Sequence, residues 1–455
     1  DGNFCINGLV GPDRTVHPGL WDMKKMHETV AVQPVDLDSG IVRITNRYTF
    51  ADLNELDAAW TLEADGQVLQ SGGLSGLDAP PGGRVEISIP YQKPGLVPGT
   101  EYWLGLRFTL AGDTLWALRG HKVAWAQFQL PFASPGQVVP ANTMPPLTVK
   151  ESQSGVSIQA SDFSLTFDRR SGHISRWQHR GRVALRHGPQ LNLWRAPTDN
   201  DARRMAARWL EVGLDRLREQ AVAVSVERVS PSVVRVRVDS ADQQLGVKST
   251  YDYALYGSGD LELEHTIELA GHLPPLPRLG VRLVLPGEYE QFTWYGRGPH
   301  ETYPDREQGA RLGLYRSTVH GQFVPYVTPQ EHGNKTGVRW VALTDPDGIG
   351  LLAVGQPTLS VSAHHYTARD LAQARHTHEL CPRQDIFLNL DLAQSGLGSE
   401  SCGPGVLPQY QLGERVYRYR LRLRPLSGGA DSPLELSKQV LPMGTESNRA
   451  REAQE

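Results

Sequence analysis

A chain of 455 residues is too long for one ordinary hydrophobic core, and at ~150 residues per domain it points to about three units. Acidic and basic residues nearly balance, giving a formal charge of −4, and Lys and Arg form no long run. The basic footprint of a nucleic-acid binder is therefore absent. The longest apolar runs are strand-sized, short of the ~20 residues a membrane span needs, and no signal-like segment follows Asp1, so a soluble, cytoplasmic protein is expected. Cys5, Cys381 and Cys402 are odd in number and far apart, which fits reduced thiols better than a disulfide framework. The chain opens at Asp1 on a loop-and-strand phrase with no methionine before it, and is read as the rear portion of a longer protein.

From Ile41 to Phe50 the residues alternate, with Val42, Ile44, Tyr48 and Phe50 on one face, which predicts a half-buried strand. The pattern recurs at Ala58–Ala64, before an Asp65-Gly66 hairpin turn, and again at Val85–Ile89, Tyr102–Leu110 and Val123–Trp125. Short strands at this spacing predict a small antiparallel sandwich. It is immunoglobulin-like in architecture only, since it lacks an internal cysteine pair. The proline-rich stretch from Pro131 to Pro146 breaks the rhythm and marks a stiff connector. Beyond it, alternation resumes at Phe163–Phe167, Val222–Val226, Val234–Val238, Leu261–Leu269, Val281–Leu285 and Tyr417–Leu423, predicting one large all-β domain. The only helix-like period runs from Ala202 to Glu219, and from Ser427 to Glu455 the chain reads as disordered.

Three phrases are more specific than periodicity: Phe4-Cys5-Ile6-Asn7-Gly8-Leu9-Val10-Gly11-Pro12-Asp13-Arg14, Arg195-Ala196-Pro197-Thr198-Asp199-Asn200-Asp201, and Tyr295-Gly296-Arg297-Gly298-Pro299-His300-Glu301-Thr302-Tyr303-Pro304-Asp305-Arg306. Together and in this order they resemble the large bacterial β-galactosidases of glycoside hydrolase family 2. The resemblance covers the chain from Asp1 to about Pro425. It implies the end of a catalytic TIM barrel at 1–24, an immunoglobulin-like β-sandwich at 25–134, a linker at 135–148, a large galactose-mutarotase-like super-sandwich at 149–425 and a tail at 426–455.

The resemblance further implies retaining hydrolysis of terminal β-D-galactosides such as lactose by two glutamates upstream of this chain, so no residue here is assigned a catalytic role. It places the Mg²⁺ ligands in that upstream part. For the active-site Na⁺ it offers half a site, the Phe4 carbonyl and the Asn7 side-chain oxygen, neutral oxygens suited to a hard cation. Read by itself, Asn7-Gly8 is simply a turn. The stretch 396–404 matches a loop that reaches the sugar, with Cys402 where a tryptophan commonly stacks. A thiol offers no aromatic face, so weaker stacking is expected, by ~1 kcal/mol. The expected partners are a galactoside, the missing N-terminal part and further copies in a dimer or tetramer.

Other constellations have plainer readings. His364-His365 and His376-Thr377-His378 suggest zinc spacing but lack a legible fourth ligand. Glu301 and Asp305 lie beside Arg297 and Arg306, which suits an ion-paired structural loop better than a raised-pKa acid. Trp60, Trp103, Trp125 and Trp294 are expected in the core. Two other functions compete: a non-catalytic carbohydrate-binding or assembly subunit of a split β-galactosidase, and an aldose epimerase, which needs a histidine and a carboxylate facing one cavity.

Overall fold

The computed structural model describes residues 6, 8–429 and 431–442, and the sodium ligands expected at Phe4 and Asn7 lie outside them. The structure is all-β, and no helix among the described residues is long and apolar enough to cross a membrane. The chain divides into two compact units.

One unit comprises Gly19–Gln137 together with Gln308–Leu314. Its core lies between a three-stranded sheet of Val30–Asp36, Ile41–Asn46 and Arg84–Ser88 and a four-stranded sheet ordered Gln67–Leu74, Leu56–Ala64, Tyr102–Leu110, Lys122–Gln129. Alternation puts Val42, Ile44, Leu62, Leu104 and Phe108 into that core. The predicted hairpin turn is present: Asp65 and Gly66 have φ of 47° and 82°, the left-handed pair of a type I′ turn. The strand begun at Ile41 stops early. Asn46 is buried and its amide donates to the carbonyls of Ala51 and Ala79 while its oxygen accepts from Tyr48 N, so the backbone turns away. Phe50, expected on the inner face, is therefore 94% exposed. Trp60 is in the core, but at the last strand Ala124 and Ala126 point inward and Trp125 outward, beneath Lys25 Nζ at 4.2 Å from its ring. Trp103 is likewise only half-buried. The excursion 308–314 joins this unit through paired bonds between Gln127 and Leu312 at 2.8 and 2.9 Å and an Arg311–Glu63 ion pair at 3.2 Å.

The larger unit holds Val138–Glu307 and the chain from Tyr315 onward, with the short stretch before Gly19. Its strands form one curled, closed network of antiparallel pairs. The long strand Ile349–His364 organises it. Residues 349–356 pair with Val416–Ser427, residues 360–364 pair with Ile386–Gln394, and Lys335–Thr344 covers its other edge. Pro357, which has no N–H to give, sits where the partner changes. Inward residues Val234, Val236, Leu263, Val281, Leu283, Leu388, Leu390, Leu421 and Trp294 build the core.

The helical period expected over 202–219 yields a helix only at Met205–Val212, flanked by 3₁₀ turns. Gly213, at φ 87°, closes it in a left-handed cap. The stretch after Ser427 is not structureless where it is described. Ser432 caps a helix at Pro433–Ser437, the buried Arg422 donates to the carbonyls of Leu436 and Ser437, and Leu441 is buried against Met144, Val233 and Tyr256. Composition concealed this because the partners lie far back in the chain.

Among the described residues, four histidines are buried in this unit, His173, His265, His332 and His364. Burial lowers His265 to about 3 and His173 to about 4, and holds His364 well below the usual imidazole range. His265 is stacked on Tyr251 at 4.0 Å and contacts the Tyr419 hydroxyl at 3.2 Å. A histidine with a depressed folded pKa contributes stability above the unfolded value of ~6.5 that is lost as pH falls toward the folded one. The stability difference between the native chain and His265→Phe, followed by denaturant unfolding, should therefore shift in the variant's favour by about 1.4 kcal/mol per pH unit between pH 6.5 and 4. A pH-independent difference would show that His265 is not held neutral.

Candidate functional site

Two of the three distinctive phrases and the loop carrying Cys402 meet at one place in the larger unit. Arg195 is fully buried and spends its guanidinium on four acceptors. Nε and Nη2 grip the Asp201 carboxylate at 3.0 and 2.8 Å, and Nη1 and Nη2 reach the carbonyls of Ser395 and Gly396 at 2.8 and 3.1 Å. Asp201 also accepts from Thr198 N at 2.9 Å, closing the Arg195–Asp201 phrase on itself. Bidentate pairing is the geometry that makes a desolvated arginine tolerable.

The loop starting at Gly396 is pinned from two further sides. Asn200 donates to Gly398 O at 2.8 Å and accepts from Ser401 N at 3.0 Å. Asp305, from the Tyr295–Arg306 phrase, accepts from Leu397 N at 2.9 Å and Gly398 N at 2.8 Å. Glycine is required here: a Cβ at Gly396 would stand 2.6 Å from Asp305 Oδ2, and Gly398 has φ 62°. The tip closes in a turn, Cys402 N and Gly403 N both bonding Ser399 O at 3.1 and 2.6 Å, which leaves Cys402 as an exposed free thiol.

Beneath the loop lies a second ionic cluster that the sequence reading did not single out. Arg278 donates Nε to Asp391 at 2.8 Å and Nη2 to Glu331 at 2.9 Å and Ser362 at 3.2 Å, all of them buried. Gln394 joins Glu331 to Asn334. Burial pushes the Asp391 carboxyl up to about 7, opposed by Arg278. The available signal was Asp391 itself, a charge inside the apolar run Ile386–Leu392.

Glu301 accepts from Gly333 N at 2.6 Å and Tyr326 Oη at 2.5 Å and pairs with Arg306. Burial acts to raise it, but Arg306 and these donors outweigh that and hold it low, so it is a fixed anion and not a proton donor. Asp305 serves the loop and not Arg306. Lys335, buried beside Trp294 with Nζ 3.1 Å from Gly333 O, is lowered by burial to about 8. His364 and His365 point apart, His364 Nε2 to His332 O at 3.0 Å and His365 Nε2 to Glu290 at 2.9 Å; His376 and His378 stack at 5.5 Å near the surface. Among the described residues no three His, Cys, Asp or Glu side chains are placed to hold a metal ion.

The family described as Beta galactosidase small chain matches residues 159–423, more than half of the chain and all of the segments just described. The chain belongs to that family. Residues 42–131, in the smaller unit, match Beta-galactosidase, domain 4. The chain is 32% identical over 433 residues to the β-galactosidase of Priestia megaterium, covering 94% of this chain and 41% of that protein. It is 31% identical over 447 residues to that of Vibrio vulnificus, with shares of 94% and 42%, and 33% identical over 443 residues to that of Vibrio cholerae, with shares of 93% and 41%. This member of the small-chain family thus spans about two fifths of those relatives, and what it resembles is the C-terminal part of a bacterial β-galactosidase. Among solved structures, galactose 1-epimerase from Lactobacillus acidophilus aligns over 62% of this chain and 98% of its own at 9% identity, with a TM-score of 0.31, a likeness that supports no inference about function.

Replacing Asn200 and Asp305 together by alanine removes four bonds to the loop and should cost ~1–3 kcal/mol. In a Cys5→Ser, Cys381→Ser background, Cys402 should then react several-fold faster with a bulky aromatic disulfide. An unchanged rate would show that these side chains do not hold the loop.

Proposed function

We propose that this chain is the non-catalytic C-terminal portion of a retaining β-galactosidase that removes terminal β-D-galactose from lactose-type substrates. In this reading the nucleophile and acid/base glutamates, ~5 Å apart, belong to upstream barrel segments. The contribution of this chain is the loop 396–404, presented toward the sugar. One observation carries the reading: Arg195, Asn200 and Asp305, drawn from two phrases distinctive of the family, all give polar groups to fixing that one loop, whose tip is exposed. A loop with only a connecting role needs no such investment of buried charge.

Cys402 at its tip replaces a stacking surface with a small thiol, which weakens the hold on the group beyond the scissile bond. Na⁺ and Mg²⁺ belong to the whole enzyme. Phe4 and Asn7 would contribute to the former, and the ligands of the latter lie upstream. A cytoplasmic dimer or tetramer is the expected assembly. A second reading, favoured by the small-chain description of the matching family, makes this chain the carbohydrate-binding or assembly subunit of an enzyme split over two polypeptides.

The 455-residue chain alone should give no turnover of a nitrophenyl β-galactoside with Na⁺ and Mg²⁺ present, and activity should appear when the complementary N-terminal part of a related enzyme is supplied. Turnover by the chain alone would refute the upstream placement of the glutamates. In the reconstituted enzyme, Cys402→Trp should lower KM for lactose by about fivefold, the equivalent of ~1 kcal/mol of stacking. An unchanged KM would remove the loop from the substrate site.

A further inference from the structure

A feature of the larger unit has no part in the hydrolysis proposed above. A cavity of ≈ 930 Å³ opens between the strand end at Gln190–Asn192, the turn after the helix Met205–Val212 and the helix Ala368–Gln373. Five arginines line it, Arg216, Arg218, Arg282, Arg369 and Arg383, against Asp215 as the one carboxylate among the described lining residues. Arg383 is neutralised by Asp370 at 2.6 Å, and Arg216 lies 3.5 Å from Asp215. Among the described residues, no carboxylate stands within ion-pair distance of Arg218, Arg282 or Arg369.

Arg282 decides what the cavity suits. Its strand neighbours Val281 and Leu283 are fully buried on the other face of the strand, and Arg282 itself is half-buried. Its Nη2 donates to Gln190 Oε1 at 3.2 Å, a neutral acceptor that uses one of five donors. Burial, and the charge of nearby Arg278, act against its own charge. A partly desolvated guanidinium answered only by an amide is an electrostatic cost in the free protein, and an anion entering the cavity would relieve it. Asn192 and Gln373 add neutral hydrogen-bonding groups, and Trp194 and Phe387 add aromatic surface. Hydroxyls, a ring and one acidic group are what such a lining recognises. The described lining holds no histidine, so the acid and carboxylate pair of an epimerase is not assembled here.

We propose that this cavity binds a small acidic sugar, its carboxylate or phosphate held by Arg282 and its ring lodged against Trp194. The site is a binding site and not a second catalytic one. Calorimetric titration of the 455-residue chain at low salt with galacturonate, galactose 6-phosphate and neutral galactose tests it. At least one acidic sugar should bind about tenfold or more tightly than galactose, weakening as salt is raised, and the tighter of the two identifies the acidic group. Arg282→Gln should abolish that advantage with the thermal unfolding midpoint kept. Arg369→Ala, at the exposed rim, should reduce it two- to threefold and carries the test if the first variant does not fold. Equal binding of all three sugars, no binding at millimolar concentration, or affinities unchanged in both variants would overturn the proposal. None of these readouts depends on galactoside hydrolysis.

Discussion

The desolvation of Arg195 is the constraint on which the candidate site depends. A guanidinium withdrawn completely from water is tolerable only if its donors are met, and here they are met by a carboxylate six residues away and by two carbonyls some two hundred residues away. None of the partners can leave alone, because the remaining charge would be buried and unanswered. The pair therefore joins the Arg195–Asp201 phrase to the start of the Cys402 loop as one unit. Asn200 and Asp305 extend the same logic along the loop, each using a short polar side chain to take up backbone groups that no strand satisfies.

The chain uses arginine in three different settings within this one sheet system. Arg195 and Arg278 are buried and paired with carboxylates, with two carbonyls and a serine hydroxyl as further acceptors, which makes them structural. Arg306 is engaged by Glu301, which is in turn held as an anion by a tyrosine hydroxyl and a backbone N–H. Arg282 has a neutral partner and a cavity in front of it. The difference lies in what each guanidinium faces and not in the residue type, and it separates groups that hold the fold from one available to a ligand.

Much of the architecture was legible in the sequence because strand alternation is a local signal. The division into a small sandwich and a large antiparallel domain, the Asp65-Gly66 turn and the inward faces at Val42–Ile44, Val234–Val238 and Val281–Leu285 all follow from period two. Alternation misled where a local polar contact or a change of facing ended it. Asn46 diverts the chain before Phe50 can turn inward, and small alanines take the inner positions that Trp125 was expected to share. The helix after Asp201 was legible in kind but not in extent, since Gly213 closes it after two turns.

What the sequence by itself determined was the all-β class, the family resemblance and the importance of the phrases 195–201 and 295–306. Each is written in contiguous residues, where side-chain period and motif spacing act over short range. Only the tertiary structure decided that those phrases clamp the Cys402 loop, that Arg278 gathers Asp391 and Glu331, that residues 431–442 pack around Arg422 and Leu441, and that Arg282 lines a cavity with an amide as its bonded partner. The physical reason is the same in every case. A buried charge is defined by the acceptors around it, and here those acceptors come from strands and loops that the chain brings together only on folding.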